Sequence, residues 1–179
     1  MESKDAAAKI KLLVLDVDGV LTNGSIIFGP DGEACKAFNA KDGLGISLAH
    51  EAGLKTAIIT GRQSRIVLLR GEELKISDIY QGAKDKMTAI KELVAKHNLA
   101  LDEIAYIGDD LNDLSALKSV GLPCAVADAC CEVKETAKLI ASKPGGHGAV
   151  REIIEYILKA QGLWADLLNS SLTAVKKDQ

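Results

Sequence analysis

The sequence predicts an α/β fold: a doubly wound, mainly parallel sheet with one inserted β-hairpin and no cap domain. Three observations point there. Short apolar runs recur with amphipathic stretches of crossover length between them. Each run near the first ends in polar, turn-forming residues, the edge at which open α/β sheets bind ligands. A chain of 179 residues is also long enough to close one hydrophobic core without needing a second domain.

The elements follow in order. Met1 to Lys9 is charged and Ala-rich and is expected to be a flexible N-terminal segment, with a single domain over residues 10–162. The strands are Lys11 to Asp16, Lys55 to Thr60, Asp78 to Gln81, Ile104 to Gly108 and Cys124 to Ala127. The helices are Gly43 to Ala52, Ser64 to Leu74, Lys86 to Lys96, Leu111 to Val120 and Glu132 to Leu139, with apolar residues three and four apart as in Ile90, Leu93 and Val94. One piece breaks this rhythm. Ser25 to Phe28, the turn Gly29-Pro30-Asp31-Gly32 and Glu33 to Asn39 read as a hairpin over about residues 25–39, projecting just beyond the first strand. A last helix, Ala149 to Gln161, carries Val150, Ile153, Ile154 and Ile157 on one face, and a mobile tail is expected over 163–179.

Composition excludes several classes. Lys plus Arg number 22 against 25 Asp plus Glu, and only 3% of residues are aromatic, which argues against a basic, ring-lined nucleic-acid surface. No apolar run approaches the roughly 18 residues of a membrane span, and Met1 to Lys9 lacks a signal peptide's apolar stretch, so a cytoplasmic protein with no membrane partner is expected. Cys35, Cys124, Cys130 and Cys131 form no C-x-x-C pair and His50, His97 and His147 are scattered, so neither a zinc site nor a disulfide framework is suggested.

The chemistry sits at the strand ends. The run Leu12 to Leu15 stops at Asp16-Val17-Asp18-Gly19, two acids one residue apart; a plain Asp-Gly turn is the competing reading. The second run ends in Thr60-Gly61-Arg62, whose hydroxyl and backbone N–H groups can bind phosphoryl oxygens, or where Thr60 merely caps a helix. In Gln81-Gly82-Ala83-Lys84-Asp85-Lys86 a lysine opens a helix, where the dipole disfavours a cation; Lys86 is the stronger candidate and Lys84 its rival by spacing. The fourth element is Tyr106-Ile107-Gly108-Asp109-Asp110-Leu111-Asn112-Asp113. Asp110 suits an N-cap and Asp113 a first-turn acid, whereas Asp109 with Asp16 makes an oxygen pair suited to Mg2+.

Together, D-x-D-G-V-L-T, T-G-R, a downstream lysine and G-D-D-x-x-D resemble the motif set of the haloacid dehalogenase superfamily, which has a Rossmann-like fold. The resemblance implies Asp16 as the nucleophile that becomes an aspartyl-phosphate and Asp18 as general acid/base. A sugar alkoxide leaves poorly unless protonated, and the same group can then deprotonate the hydrolytic water. It further implies Mg2+ held by the Asp16 carboxylate, the Asp18 carbonyl and Asp109, phosphate held by Thr60, Gly61 and Lys86, and Asp113, beside Asp110, orienting Lys86 or the metal's water.

Thr60 and Lys86 lie too close in sequence to enclose a cap, so only the hairpin fits, and a single chain is expected to leave its site open. From Lys11 to about Leu158 the chain resembles the capless 3-deoxy-D-manno-octulosonate 8-phosphate phosphatases, homotetramers of lipopolysaccharide sugar synthesis in which neighbours complete each site. The matching residues are Phe38 to Gly43, Arg62, Arg70, Lys86 and Gly145 to Glu152. By that resemblance Asn39, Ala40, Lys41, Asp42, Gly43, Arg62 and Arg70 touch the sugar acid, whose carboxylate suits arginine's fork. Relatives acting on nine-carbon sialic-type sugar acid 9-phosphates tend to carry Glu in place of Arg62, which favours the eight-carbon substrate; Ser47 stands where the family usually has Arg. The alternatives are a nine-carbon phosphatase, a catalytically silent phosphate-binding module and a receiver-like phospho-acceptor. Receivers lack a second acid at D-x-D spacing and lack the hairpin.

Overall fold

The computed structural model describes residues 3–169. Its elements are α1 (Ser3–Ala7), β1 (Leu12–Leu15), β2 (Ile27–Gly29), β3 (Gly32–Cys35), α2 (Ala40–Glu51), β4 (Lys55–Ile59), α3 (Arg65–Glu73) and β5 (Asp78–Tyr80). They continue with α4 (Lys86–His97), β6 (Ile104–Gly108), α5 (Leu114–Leu117), β7 (Leu122–Ala125), α6 (Cys131–Thr136), β8 (Leu139–Ile140) and α7 (Ala149–Ala160). Six strands form one parallel sheet in the order β5-β4-β1-β6-β7-β8, and β2-β3 is a separate antiparallel hairpin.

β1 is central because its four residues, Leu12, Leu13, Val14 and Leu15, are apolar on both faces and fully buried. Truncating one of these leucines to Ala would cost about 2–5 kcal/mol. From β1 the chain winds outward through β4 to β5, then crosses to β6 and winds the other way to β8. Right-handed crossovers place the helices of the two halves on opposite faces. Accordingly α1, α2 and α7 pack together while α5 packs against α4 and α6. The direction reverses between β1 and β6, and loops diverging there open a crevice at the carboxyl edge.

Several sequence expectations are corrected. The segment taken as flexible holds α1, whose Ala6 and Ala7 are fully buried against the core, because two small residues let the backbone approach α7. The strand expected over Cys124 to Ala127 runs two residues earlier, Leu122–Ala125, and Pro123 is tolerated within it because pairing to β8 begins only at Cys124. The segment Glu132 to Leu139 divides into α6 and the short edge strand β8. Leu111 to Val120 begins as a 3-10 turn, Leu111–Asp113, before the single turn of α5. In the expected tail, residues 164–169 are helical, with Trp164 stacked against Arg151 and Lys159, and residues 170–179 lie outside the described residues.

Asp42 was expected at the substrate. It is instead 1% exposed, and its carboxylate accepts hydrogen bonds from the backbone N–H of Gly148 (3.2 Å) and Arg151 (2.8 Å). Gly148 precedes α7 with φ +101°, offers no side-chain cap, and leaves the first-turn N–H groups of that helix to be satisfied from α2. An acid at that end also complements the helix dipole. Asp42→Ala should therefore lower the unfolding free energy by about 1–3 kcal/mol, read from urea titration. An unchanged midpoint would contradict the capping role.

Candidate active site

Three loops at the carboxyl edge build a cleft of about 250 Å3 between β1, β4 and β6. Asp16, Asp18, Thr60, Gly61, Arg62 and Asp109 line it. Asp16 leaves β1 with its backbone N–H bonded to the Ile107 carbonyl of β6, so the nucleophile candidate is held by the sheet itself. Gly19 then turns the chain at φ +85°; a Cβ there would lie 2.0 Å from Asp109 Oδ2, so only glycine lets the two acidic loops meet. Gly145 braces this turn from behind, where a Cβ would fall 1.8 Å from the Gly19 carbonyl oxygen.

The centre of the site is a buried lysine. Lys86 opens α4, and its Nζ lies 2.9 Å from Asp16 Oδ2 and 2.5 Å from Asp113 Oδ1. Lys84, the rival by spacing, is exposed. Burial alone would pull the Lys86 ammonium down, but the charges of Asp16 and Asp113 outweigh it and hold the pKa above the usual lysine value. Asp113 is fully buried and saturated with donors: besides Lys86 it accepts from the Tyr106 hydroxyl (2.6 Å) and from the N–H of Asp109 (2.9 Å) and Asp110 (3.3 Å). Tyr106 in β6 was given no role in the sequence reading, since a buried aromatic in a strand gives no sign that its hydroxyl reaches an acid.

The three acids Asp16, Asp109 and Asp113 offer oxygens within 4.8 Å of one another. One ammonium does not balance them. Burial first, then the charges of Asp16, Asp113 and Asp110, push the Asp109 carboxyl up to about 7. Burial likewise raises Asp16, with the Asp113 charge adding to it and Lys86 only partly opposing it. With Asp113 committed to its four donors, Asp16 and Asp109 remain as the available pair, and the Asp109 carboxylate accepts no hydrogen bond among the described residues. Hard oxygen donors carrying uncompensated negative charge fit Mg2+.

Thr60 is 2% exposed and follows β4, its N–H bonded to the Tyr80 carbonyl and its hydroxyl accepting from the Arg62 N–H at 3.4 Å. Arg62 reaches toward Asp18, with Nε 3.8 Å from Oδ2. Asp110 stands at the rim and caps the following 3-10 turn.

The remaining sugar-site candidates are not brought to the cleft. Arg70 stacks over Phe38, pairs with Glu73 at 2.8 Å and lines a separate groove with Ala40. Asn39 caps α2, accepting from the Lys41 N–H, and donates to the Gly146 carbonyl, while Gly43 is buried against Arg70 and Lys41 is exposed. Ser47 lies on the exposed side of α2, its hydroxyl donating to the Gly43 carbonyl, and it does not line the cleft. The hairpin also departs from expectation. It folds back on its own chain: Lys36 donates to Asp18, Glu33 accepts from the Ser64 hydroxyl, and Ile26 lines the cleft. A lysine in a hairpin reads as solvated in sequence, and nothing marked Lys36.

A strand-end aspartate pair, a threonine, a buried lysine and a further acid around the switch point define a haloacid dehalogenase-like hydrolase, and that family matches residues 70–153. The 3-deoxy-D-manno-octulosonate 8-phosphate phosphatase of Escherichia coli K12 is 45% identical over 163 residues, covering 89% of this chain and 87% of its own. The crystal structure of the Moraxella catarrhalis enzyme in complex with magnesium ion, phosphate ion and KDO superposes with a TM-score of 0.91 at 43% identity, covering 94% of this chain and 97% of that one. The Yersinia pestis enzyme gives a TM-score of 0.89 at 42% identity, with 91% and 88% covered. The chain belongs to the 3-deoxy-D-manno-octulosonate 8-phosphate phosphatase family.

The raised acids set a pH dependence. Asp16 and Asp109 titrate higher in the folded chain than at the unfolded value of 3.8, so between about pH 4 and 7 the folded state binds more protons than the unfolded one. Their contribution to stability is full below that window and is lost as pH rises through it. Metal-stripped protein should therefore melt lower at pH 8 than at pH 5.5, and Asp109→Asn should flatten the difference. Mg2+ at a hundredfold its Kd should restore about 2.7 kcal/mol, or about 5–10 °C in Tm, at pH 8. A melting temperature indifferent to Mg2+ would count against the site.

Proposed function

We infer that this chain is a Mg2+-dependent phosphatase that hydrolyses 3-deoxy-D-manno-octulosonate 8-phosphate to 3-deoxy-D-manno-octulosonate and inorganic phosphate, serving lipopolysaccharide sugar synthesis. One observation carries the reading: Lys86, shared by Asp16 and Asp113 beside Asp109, sits in a chain 45% identical to an enzyme of that name.

The residues divide the work. The Asp16 carboxylate attacks phosphorus and forms an aspartyl-phosphate while the bond from phosphorus to the sugar oxygen breaks. Asp18 gives its proton to that oxygen, then takes one from the water whose attack releases phosphate and regenerates Asp16. Thr60, the backbone at Gly61 and Lys86 hold the phosphoryl oxygens, and Asp113 keeps the Lys86 ammonium in place. Asp16, the Asp18 carbonyl and Asp109 would hold Mg2+, which offsets the repulsion between an anionic nucleophile and an anionic phosphate. Arg62 at the cleft supports recognition of the sugar acid's carboxylate and, with it, the eight-carbon substrate.

The assembly belongs to the same proposal. Ile26, Ile27 and Phe28 of the hairpin are exposed, Phe28 by 68%, and Leu44, Leu68 and Leu69 add apolar surface on α2 and α3. A homotetramer that covers these side chains and brings a neighbour to the Arg70 groove accounts for the exposure. No helix among the described residues is long and apolar enough to cross a membrane, and cytoplasmic work on a small anionic sugar is the setting proposed.

Asp16→Asn should abolish turnover, a loss of at least about 10³-fold, while leaving the melting transition cooperative. Retained turnover would remove Asp16 as nucleophile. Phosphate release should be faster from the eight-carbon than from the nine-carbon ulosonate phosphate and should stop with EDTA; the reverse order would assign the nine-carbon substrate. Sedimentation should give four copies, whereas a fully active monomer would exclude completion of the site by neighbours.

A further inference from the structure

The hairpin enters the site through a residue to which the phosphatase reading gives no task. Lys36 follows β3, yet its side chain is only 1% exposed. Its Nζ donates to Asp18 Oδ1 and lies 3.1 Å from Glu33 Oε1. Glu33 is anchored in turn, since its Oε2 accepts from the hydroxyl of Ser64, the N-cap of α3. Phe28 of β2 lies 6.0 Å from the Arg62 guanidinium carbon. Three tethers thus tie one hairpin to Asp18, to the cap of α3 and to Arg62.

We propose that Lys36 is a positioning residue for Asp18, holding Oδ1 so that Oδ2, on the Arg62 side of the cleft, is the oxygen that exchanges the proton with the sugar oxygen. The proposal rests on the acid/base role inferred for Asp18. A carboxylate turns easily about its last side-chain bond, where the wells are broad. A solvated lysine would not stop it, because exposed pairs are weak and screened. Lys36 is different on two counts: its ammonium is enclosed, and Glu33 fixes it from the other side. Proton transfer demands the donor oxygen within hydrogen-bond reach of the leaving oxygen, so a carboxylate free to turn loses the reaction without losing the substrate. As the bond from phosphorus to the sugar oxygen breaks, the O–H bond at Oδ2 breaks and its proton passes to the leaving oxygen.

The leaving group provides the test. An alkoxide needs the proton, while para-nitrophenolate leaves well without it. With enzyme in excess over substrate and Mg2+ present, release of the alcohol in a single turnover reads the first transfer alone. Lys36→Met should slow release of the eight-carbon sugar acid by about 10–100-fold and of para-nitrophenol by less than about threefold, with little change in half-saturating enzyme concentration. Lys36→Arg should recover part of the loss. Glu33→Gln, which frees the lysine from its second partner, should give a smaller loss with the same selectivity, and serves if Lys36→Met does not fold. Equal slowing of both alcohols would reduce Lys36 to a brace of the hairpin, and weaker binding of the sugar phosphate at an unchanged rate would make it a substrate contact; either result overturns the proposal. Asp18→Asn separates the two readings: if it retains the wild-type rate on both substrates, the acid/base role itself fails, whereas a slow Asp18→Asn beside an unaffected Lys36→Met rejects only the task given to Lys36.

Discussion

The sharing of one buried ammonium by two buried carboxylates is the constraint around which this site is organised. Removing either partner of such a pair leaves an uncompensated charge in the interior, at a cost of about 3–5 kcal/mol. Lys86, Asp16 and Asp113 come from three different loops, so their mutual satisfaction fixes the relative positions of β1, α4 and the turn after β6. Asp113 extends the network through Tyr106 and two backbone N–H groups. Yet the network is not electrically closed. The negative charge left on Asp16 and Asp109 is what a divalent cation and a phosphoryl group would meet, so the device that holds the loops together also leaves a defined electrostatic demand at their centre.

Around that centre, loops are secured by elements remote in sequence. The turn at Gly19 packs against Asp109 in front and Gly145 behind, and the segment containing Gly145 is bonded to Val20, Asn39 and Asp128. Asp42 ties α2 to the start of α7. The hairpin supplies the remaining wall by folding back over its own cleft through Lys36, Glu33 and Phe28. A capless chain thus closes part of its site by itself, and its exposed apolar hairpin residues are left to face other surfaces.

Much of the fold could be read from local pattern. The sheet strands from β1 to β6 are apolar runs bounded by turn residues, and α2, α3, α4 and α7 carry helical spacing. The misses have physical reasons. α1 has too few large apolar residues to announce burial, the strand expected over Cys124 to Ala127 was set two residues late, and a helix and an edge strand too small for periodicity were merged into one. Within the site, residues at strand ends were legible because a parallel sheet delivers its carboxyl edge to one place. Asp42 and Arg70 were not, since a polar side chain near a site can serve a helix end or an aromatic ring as readily as a ligand.

By itself the sequence determined the fold class, the strand ends that carry chemistry and the acids, threonine and lysine that meet there, because these follow from hydrophobic period and from the fixed exit of each strand. Only the tertiary structure decided which lysine is buried, since Lys84 and Lys86 are nearly equivalent in spacing, and Lys84 lies exposed in the loop before α4 while Lys86 is the first residue of that helix and reaches Asp16 and Asp113. It alone turned Asp42 from a ligand candidate into a helix cap and gave Lys36 a buried place beside Asp18. Those outcomes depend on which distant backbone groups and charges are left to be satisfied, and no local pattern encodes that.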